Sequence, residues 1–166
     1  PANRSAYHQS RTRDANKIQS GRMTSFIIEE DRLDAVEILL KDIPEFDIPP
    51  TLESIKARIK DVPHLILTAH DHETPLGFKI GYERDGRFYS WLGGVDGRFR
   101  QQGIASHLAD YQEQWARKEG YRTIWMKTRN RFPQMLLMAT QRGFRIIGLQ
   151  PRDKIGEHRI VLEKSL

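Results

Sequence analysis

The chain has no cysteine. Disulfides, thiolate metal ligands and cysteine nucleophiles are excluded, and the composition fits a cytoplasmic protein. No apolar run approaches the ~20 residues needed to cross a bilayer, and the first residues hold no apolar stretch of the secretory kind; no membrane association is expected. The six histidines show no H-x-x-x-H spacing, and His70-Asp71-His72 reads as an exposed turn, so no metal is expected. A dinucleotide-binding G-x-G-x-x-G is also missing. One charge sign is in excess only locally. Residues 1–22 hold Arg4, Arg11, Arg13, Lys17 and Arg22 against Asp14 alone, while the remainder carries 22 basic and 21 acidic residues. The net charge of +5 is thus mostly a property of the first residues, and the rest gives no whole-surface argument for nucleic acid. A nucleic-acid-binding arm is the weaker alternative for these residues, since Tyr7 is the one aromatic among the charges.

What is present is one domain's worth of chain: 166 residues, 38% hydrophobic and 30% charged, enough for a core without staples. The organising stretch is VDGRFRQQGIASH, residues 95–107. An apolar, aromatic run, FYSWLGGV, precedes it and reads as a strand. Ile104, Leu108, Tyr111 and Trp115 follow at helical steps. Strand, basic glycine-containing turn, helix is an arrangement suited to an anion. A helix N-terminus leaves backbone N–H groups without partners and carries partial positive charge. Gly103 lets a ligand approach the backbone, and Arg98 and Arg100 add charge nearby. On local spacing alone, an ordinary strand-to-helix turn is the plainer alternative.

Residues 25–30 read as a first strand. Asp31 is placed to cap a helix to about residue 42, with Leu33, Val36, Ile38, Leu39 and Leu40 as its apolar stripe. Prolines at 44, 49 and 50 break the chain, and Thr51 caps a second helix to about residue 60. Residues 63–70 form a strand, central because Leu65, Ile66 and Leu67 are consecutive. From residue 76 to 84 the pattern alternates, with Leu76, Phe78, Ile80 and Tyr82 on one face. Asp85-Gly86 is a two-residue hairpin signal pairing Arg84 with Arg87, Glu83 with Phe88, and Tyr82 with Tyr89. The long helix ends at Gly120. A strand over 121–128 precedes Asn130, Pro133 opens a further helix, Gly143-Phe144 begins another strand, and a last strand covers about 158–162.

The spacing Arg100-x-x-Gly103-x-Ala105 resembles the R/Q-x-x-G-x-G/A signature of the GNAT family of N-acetyltransferases. Asn130 after the fifth strand, Gly143-Phe144 after the following helix, and FYSWLGGV before the turn resemble further family features, and the likeness covers about residues 25–164. It implies an α/β fold of the acyl-CoA N-acyltransferase type: a central mixed sheet of about seven strands, four helices, and the order β-α-α-β-β-β-α-β-α-β-β. It implies residues 23–166 as one N-acetyltransferase domain, with 1–22 a flexible basic extension or an added leader before Met23. It implies acetyl-CoA or coenzyme A as co-substrate, held by Gly94, Val95, Arg100, Gln101, Gln102, Gly103, Ile104, Ala105, Ser106 and Asn130. The acceptor is then an amine, on a small molecule or a protein, and the assembly a monomer or homodimer.

The sequence departs from the family at two places. The position of the tyrosine that protonates the leaving thiolate is Ala139. The position of the general-base glutamate on the strand before the turn is Tyr89. Glu83 and Tyr89 are the candidate catalytic residues, with His64 and His70 as further candidate bases and a water relay as the alternative. Glu45 and Asp47, in the loop that borders the acceptor site in such enzymes, are candidates to meet a cationic substrate or are simply solvated carboxylates. An N-acetyltransferase working by direct attack and a non-catalytic acyl-CoA-binding domain both fit.

Overall fold

Alternating apolar strands separated by capped helices give the order β1 (Arg13–Asp14), β2 (Ile27–Glu30), α1 (Leu33–Asp42), α2 (Leu52–Ile59), β3 (His64–Asp71), β4 (Thr74–Arg84), β5 (Arg87–Val95), α3 (Ile104–Lys118), β6 (Thr123–Arg129), α4 (Pro133–Gln141), β7 (Arg145–Gln150) and β8 (Arg159–Ser165). The computed structural model describes residues 13–14 and 25–166. Strands β2 to β8 and the four helices are the expected mixed α/β fold. The two residues of β1 pair with Ile27 and Ile28 at its edge; the other leading residues lie outside the described ones. The sheet order is β1-β2-β3-β4-β5-β6-β8-β7.

The turn at Asp85 and Gly86 fixes the register at the centre. Both take left-handed backbone, with φ 55° and 70°, as a two-residue loop matching strand twist requires. The pairs Arg84 with Arg87, Glu83 with Phe88 and Tyr82 with Tyr89 all form. Further along, Trp91 is an extra residue on β5: Gly81 pairs with Ser90 and Ile80 with Leu92. The β5–β6 pairing is the one parallel contact described, and it covers only Phe88 to Ser90 against Ile124 to Met126. Beyond Ser90 the two strands part.

The sheet has two apolar faces. Leu65, Leu67, Phe88, Ile124 and Leu162 pack with Ile104 and Leu108 of α3. Ile66, Phe78, Ile80, Tyr89 and Trp125 pack with α1 and α2. Leu76 departs from the expected alternation. Ala69 pairs with Gly77 but His70 with Pro75, so Leu76 is a bulge and joins the α3 side while Phe78, Ile80 and Tyr82 stay on the other. On the α3 side, Arg142 at the end of α4 and Lys164 of β8 converge on the buried Glu113, at 2.9 and 2.6 Å.

Helix ends follow local chemistry in two places and not in a third. Thr51 caps α2, accepting from Ser54 N–H at 3.2 Å. Gly120, at φ 88°, closes α3, and Tyr121 N–H reaches Ala116 C=O at 3.0 Å. Asp31 does not cap α1. It is left-handed, with φ 64°, and Arg32 takes the cap position without a side-chain bond. Ile38 is half exposed, because the buried stripe is Ala35, Val36, Leu39 and Leu40.

Candidate functional site

The parting of β5 and β6 creates a crevice at the carboxyl ends of two parallel strands, where open α/β sheets bind ligands. From Leu92 to Val95, β5 pairs with β4 alone, so its other edge meets no strand. Asp96 N–H donates to Leu76 C=O at 2.9 Å. Alternation along the strand therefore turns the Val95 amide to the free edge, where Arg100 Nε takes the Val95 carbonyl at 3.1 Å. Gly94 sits where a Cβ would lie 2.7 Å from Ile43 Cδ1, the end of the side chain that follows α1, so a larger residue there must displace that methyl.

The free edge leads into the turn. Gln101 and Gly103 are left-handed, with φ 61° and 80°. That is unusual for a glutamine and marks a backbone held in shape. A Cβ on Gly103 would make only ordinary contact with His107, at 3.5 Å, so its backbone angle rather than crowding requires glycine. Helix α3 has no side-chain cap. Its first ladder bond is His107 N–H to Gly103 C=O, 3.0 Å, leaving the N–H groups of Ile104, Ala105 and Ser106 ahead of it. Free strand edge and uncapped helix start place backbone donors on either side of the turn, within which Asp96 takes the N–H groups of Arg98 and Phe99. The edge and the helix start fit the amides and pyrophosphate of coenzyme A.

The two arginines of the turn have partners already. Arg98 closes onto the buried Asp96 at 2.6 Å. Arg100 forms a fork with Glu45 of the α1–α2 loop, at 2.7 and 2.8 Å; that pairing holds the Glu45 carboxyl below the ordinary carboxylate range. Asp47 pairs with Arg129, at 3.1 Å, and with Arg131. Both loop carboxylates are thus engaged by arginines of this chain, not left as free solvated groups. Asn130 follows β6, its amide donating to Ile155 C=O at 3.2 Å and its N–H to His158 C=O at 2.9 Å.

The candidate catalytic residues fall in different places. Tyr89 is buried beside the crevice, its ring stacked on Trp125 at 4.2 Å. Burial, with Tyr82 beside it, raises its phenol above the ordinary value, so it stays protonated and can donate. Glu83 lies one step from the hairpin turn and accepts from Tyr121 O–H at 2.9 Å; it is not brought together with the open part of β5. His64 and His70 are on β3, two strands away. His70 is buried, not exposed as its neighbourhood implied, with Nε2 2.6 Å from Thr68 Oγ1. Ala139 lines a cavity of about 20 Å³ with Lys79, Ser90 and Gln112, room for about one water. Gln112 has both amide atoms buried and unpartnered there, and the enclosed Lys79 ammonium is pushed down by burial to about 8. Sequence reasoning singled out neither Lys79 nor Gln112; a lysine on an alternating strand looks like a solvated one.

Known proteins bear on this geometry. The model of the acetyltransferase (GNAT) family matches residues 32–144. No curated protein matches the chain by sequence. Ard1 from Thermoplasma volcanium superposes with a TM-score of 0.73 at 17% identity, covering 85% of this chain and 97% of its own. The ribosomal-protein-S18-alanine N-acetyltransferase from Escherichia coli gives 0.74 at 15%, over 84% and 93%. A GNAT family acetyltransferase from Elizabethkingia anophelis, with acetyl-CoA bound, gives 0.67 at 19%, over 85% and 98%. Among the described residues no helix is long and apolar enough to cross a membrane. With the family model spanning the chain from the start of α1 to Phe144, the turn and both strands of the crevice included, this protein belongs to the GNAT family of acetyltransferases.

Proposed function

We propose that the chain moves an acetyl group from acetyl-CoA to a primary amine by direct attack of the amine on the thioester. The observation that carries the reading is the free edge of β5, joined by the turn at Gln101 and Gly103 to an α3 start that no side chain caps. Pantetheine amides add to that edge as an extra strand would, and the pyrophosphate takes the N–H groups of residues 101–106. Asn130, at the end of β6, borders the same crevice. The acetyl-CoA held by the Elizabethkingia relative supports the donor.

Holding donor and amine together lowers the barrier by about 7–11 kcal/mol in well-oriented cases. The Val95 N–H, on the free edge, donates to the thioester oxygen as it gains negative charge. The amine loses its proton to water: the protonated Tyr89 is a donor, and Glu83 is held by Tyr121. The coenzyme A thiol leaves as thiolate without a tyrosine at position 139, since a thiol ionises near pH 8.5. The missing tyrosine also favours a second reading, a domain that binds acyl-CoA without turnover. Thiol release from acetyl-CoA across an amine panel tests both. Amine-dependent release is expected; tight acetyl-CoA binding with no release for any amine would favour the second reading.

A further inference from the structure

Beside the crevice, on the α1–α2 face, cations gather around an aromatic floor. Tyr89 and Trp125 stack there. Arg84 lies 5.6 Å and Lys127 Nζ 5.6 Å from the Trp125 ring, and Arg58 lies 4.7 Å from Trp91. Arg159 stands directly opposite Arg129 across the β6–β8 pair, and Arg129 is already paired with Asp47 and Glu157. Burial, and then the charges of Arg84, Arg152 and Arg159, push the Lys127 ammonium below its ordinary value. Among the described residues Arg58, Lys127, Arg152 and Arg159 form no ion pair, while Asp47, Glu157 and Glu163 are engaged by Arg129, Arg131 and Arg87. A separate observation points the same way: Trp125 is 4% exposed, and its indole N–H has no acceptor.

We propose that this face receives an amine acceptor that also carries an anionic group, a carboxylate or phosphate, which Lys127 and Arg159 bind while the amine reaches the thioester at β5. The inference rests on the acetyltransferase reading and narrows its acceptor. Polycationic amines are the class the patch repels, and the acidic loop residues that would attract them, Glu45 and Asp47, face arginines instead.

The test is acetyl transfer within matched pairs: tyrosine against tyramine, and 4-aminobutyrate against putrescine, with 2-aminoethylphosphonate separating phosphate from carboxylate. The anionic member should be preferred by at least about 10-fold in kcat/KM, the effect of one charge-assisted contact. Lys127→Gln and Arg159→Gln should each erase most of that preference, and Lys127→Glu should invert it, in variants whose melting temperature is unchanged. Preference for the cationic or uncharged member, or a preference these changes do not move, overturns the inference. If acetyl-CoA binds and no amine is acetylated, the acetyltransferase reading fails instead. Equilibrium dialysis of the same pairs with the coenzyme A-loaded protein then decides the patch: tighter binding of the anionic members upholds it, and equal binding overturns it.

Discussion

Phe88, Tyr89 and Ser90 are buried and paired on both sides, with β4 and with β6. Trp91 to Val95, the same strand continued, are only partly buried, and of these Leu92 to Val95 pair with β4 alone. The first half satisfies its backbone within the fold; the second leaves an edge that costs free energy unless water or a ligand meets it. One strand therefore divides into a part that holds the domain together and a part that, on the proposed reading, binds the donor. The extra residue Trp91 marks the division, as bulges beside functional sites commonly do.

That division is open to direct attack. Phe88→Ala, in the paired half, should cost about 3–5 kcal/mol by chemical denaturation, because the ring is fully buried; a loss under about 1 kcal/mol would break the contrast. Gly103→Val, beyond the free half, should weaken acetyl-CoA binding by about 10–100-fold in calorimetry. Its stability loss should stay near 1–2 kcal/mol, the cost of a side chain at φ 80°. Unchanged affinity in the folded variant would remove the turn from the site.

Smaller effects sharpen the picture. Glu83→Gln should remove about 1 kcal/mol of stability through the Tyr121 bond and leave the pH–rate profile of acetyl transfer unaltered. A fall in kcat/KM concentrated at low pH would make Glu83 the base after all. Glu45→Gln should tighten acetyl-CoA binding by about threefold, since it frees Arg100 for the phosphates. The sign with pH follows from the depressed Glu45 carboxyl. The bridge is fully formed above the ordinary carboxylate value of about 4.3 and disappears as pH falls through the lower folded value, so the gain should be measured near pH 7. Weaker binding would mean that Glu45 positions the turn for the cofactor.

Much of this was legible before the structure. Asp85-Gly86 between alternating strands fixes a register by itself, and Thr51, Gly120 and Pro133 punctuate helices for local reasons. The strand–turn–helix order around Gly103 is equally local. What the sequence hides is long-range. Leu76 fits the alternation perfectly until the β3 register shifts. Arg98 and Arg100 look like free charge for an anion, and only the folded chain brings Asp96 and Glu45 to them. Glu83 and Tyr121 meet across 38 residues. The cationic face is spread over α2, β4, β6 and β8, with no run of basic residues to announce it.

The Asp85–Gly86 turn also bears on the order in which the chain acquires its shape. It joins two long strands that are neighbours in sequence, so closing it costs only a short loop, and hairpins form within about 1–10 μs. The parallel meeting of β5 with β6 must wait for α3 to form and fold back between them, a far less local event. The hairpin is therefore expected in the folding transition state and the crevice after it. Mutations near the turn should slow refolding, while Met126→Ala in β6 should chiefly speed unfolding. On this order the open half of β5 gains its one-sided surroundings last, from a strand whose other half was already fixed.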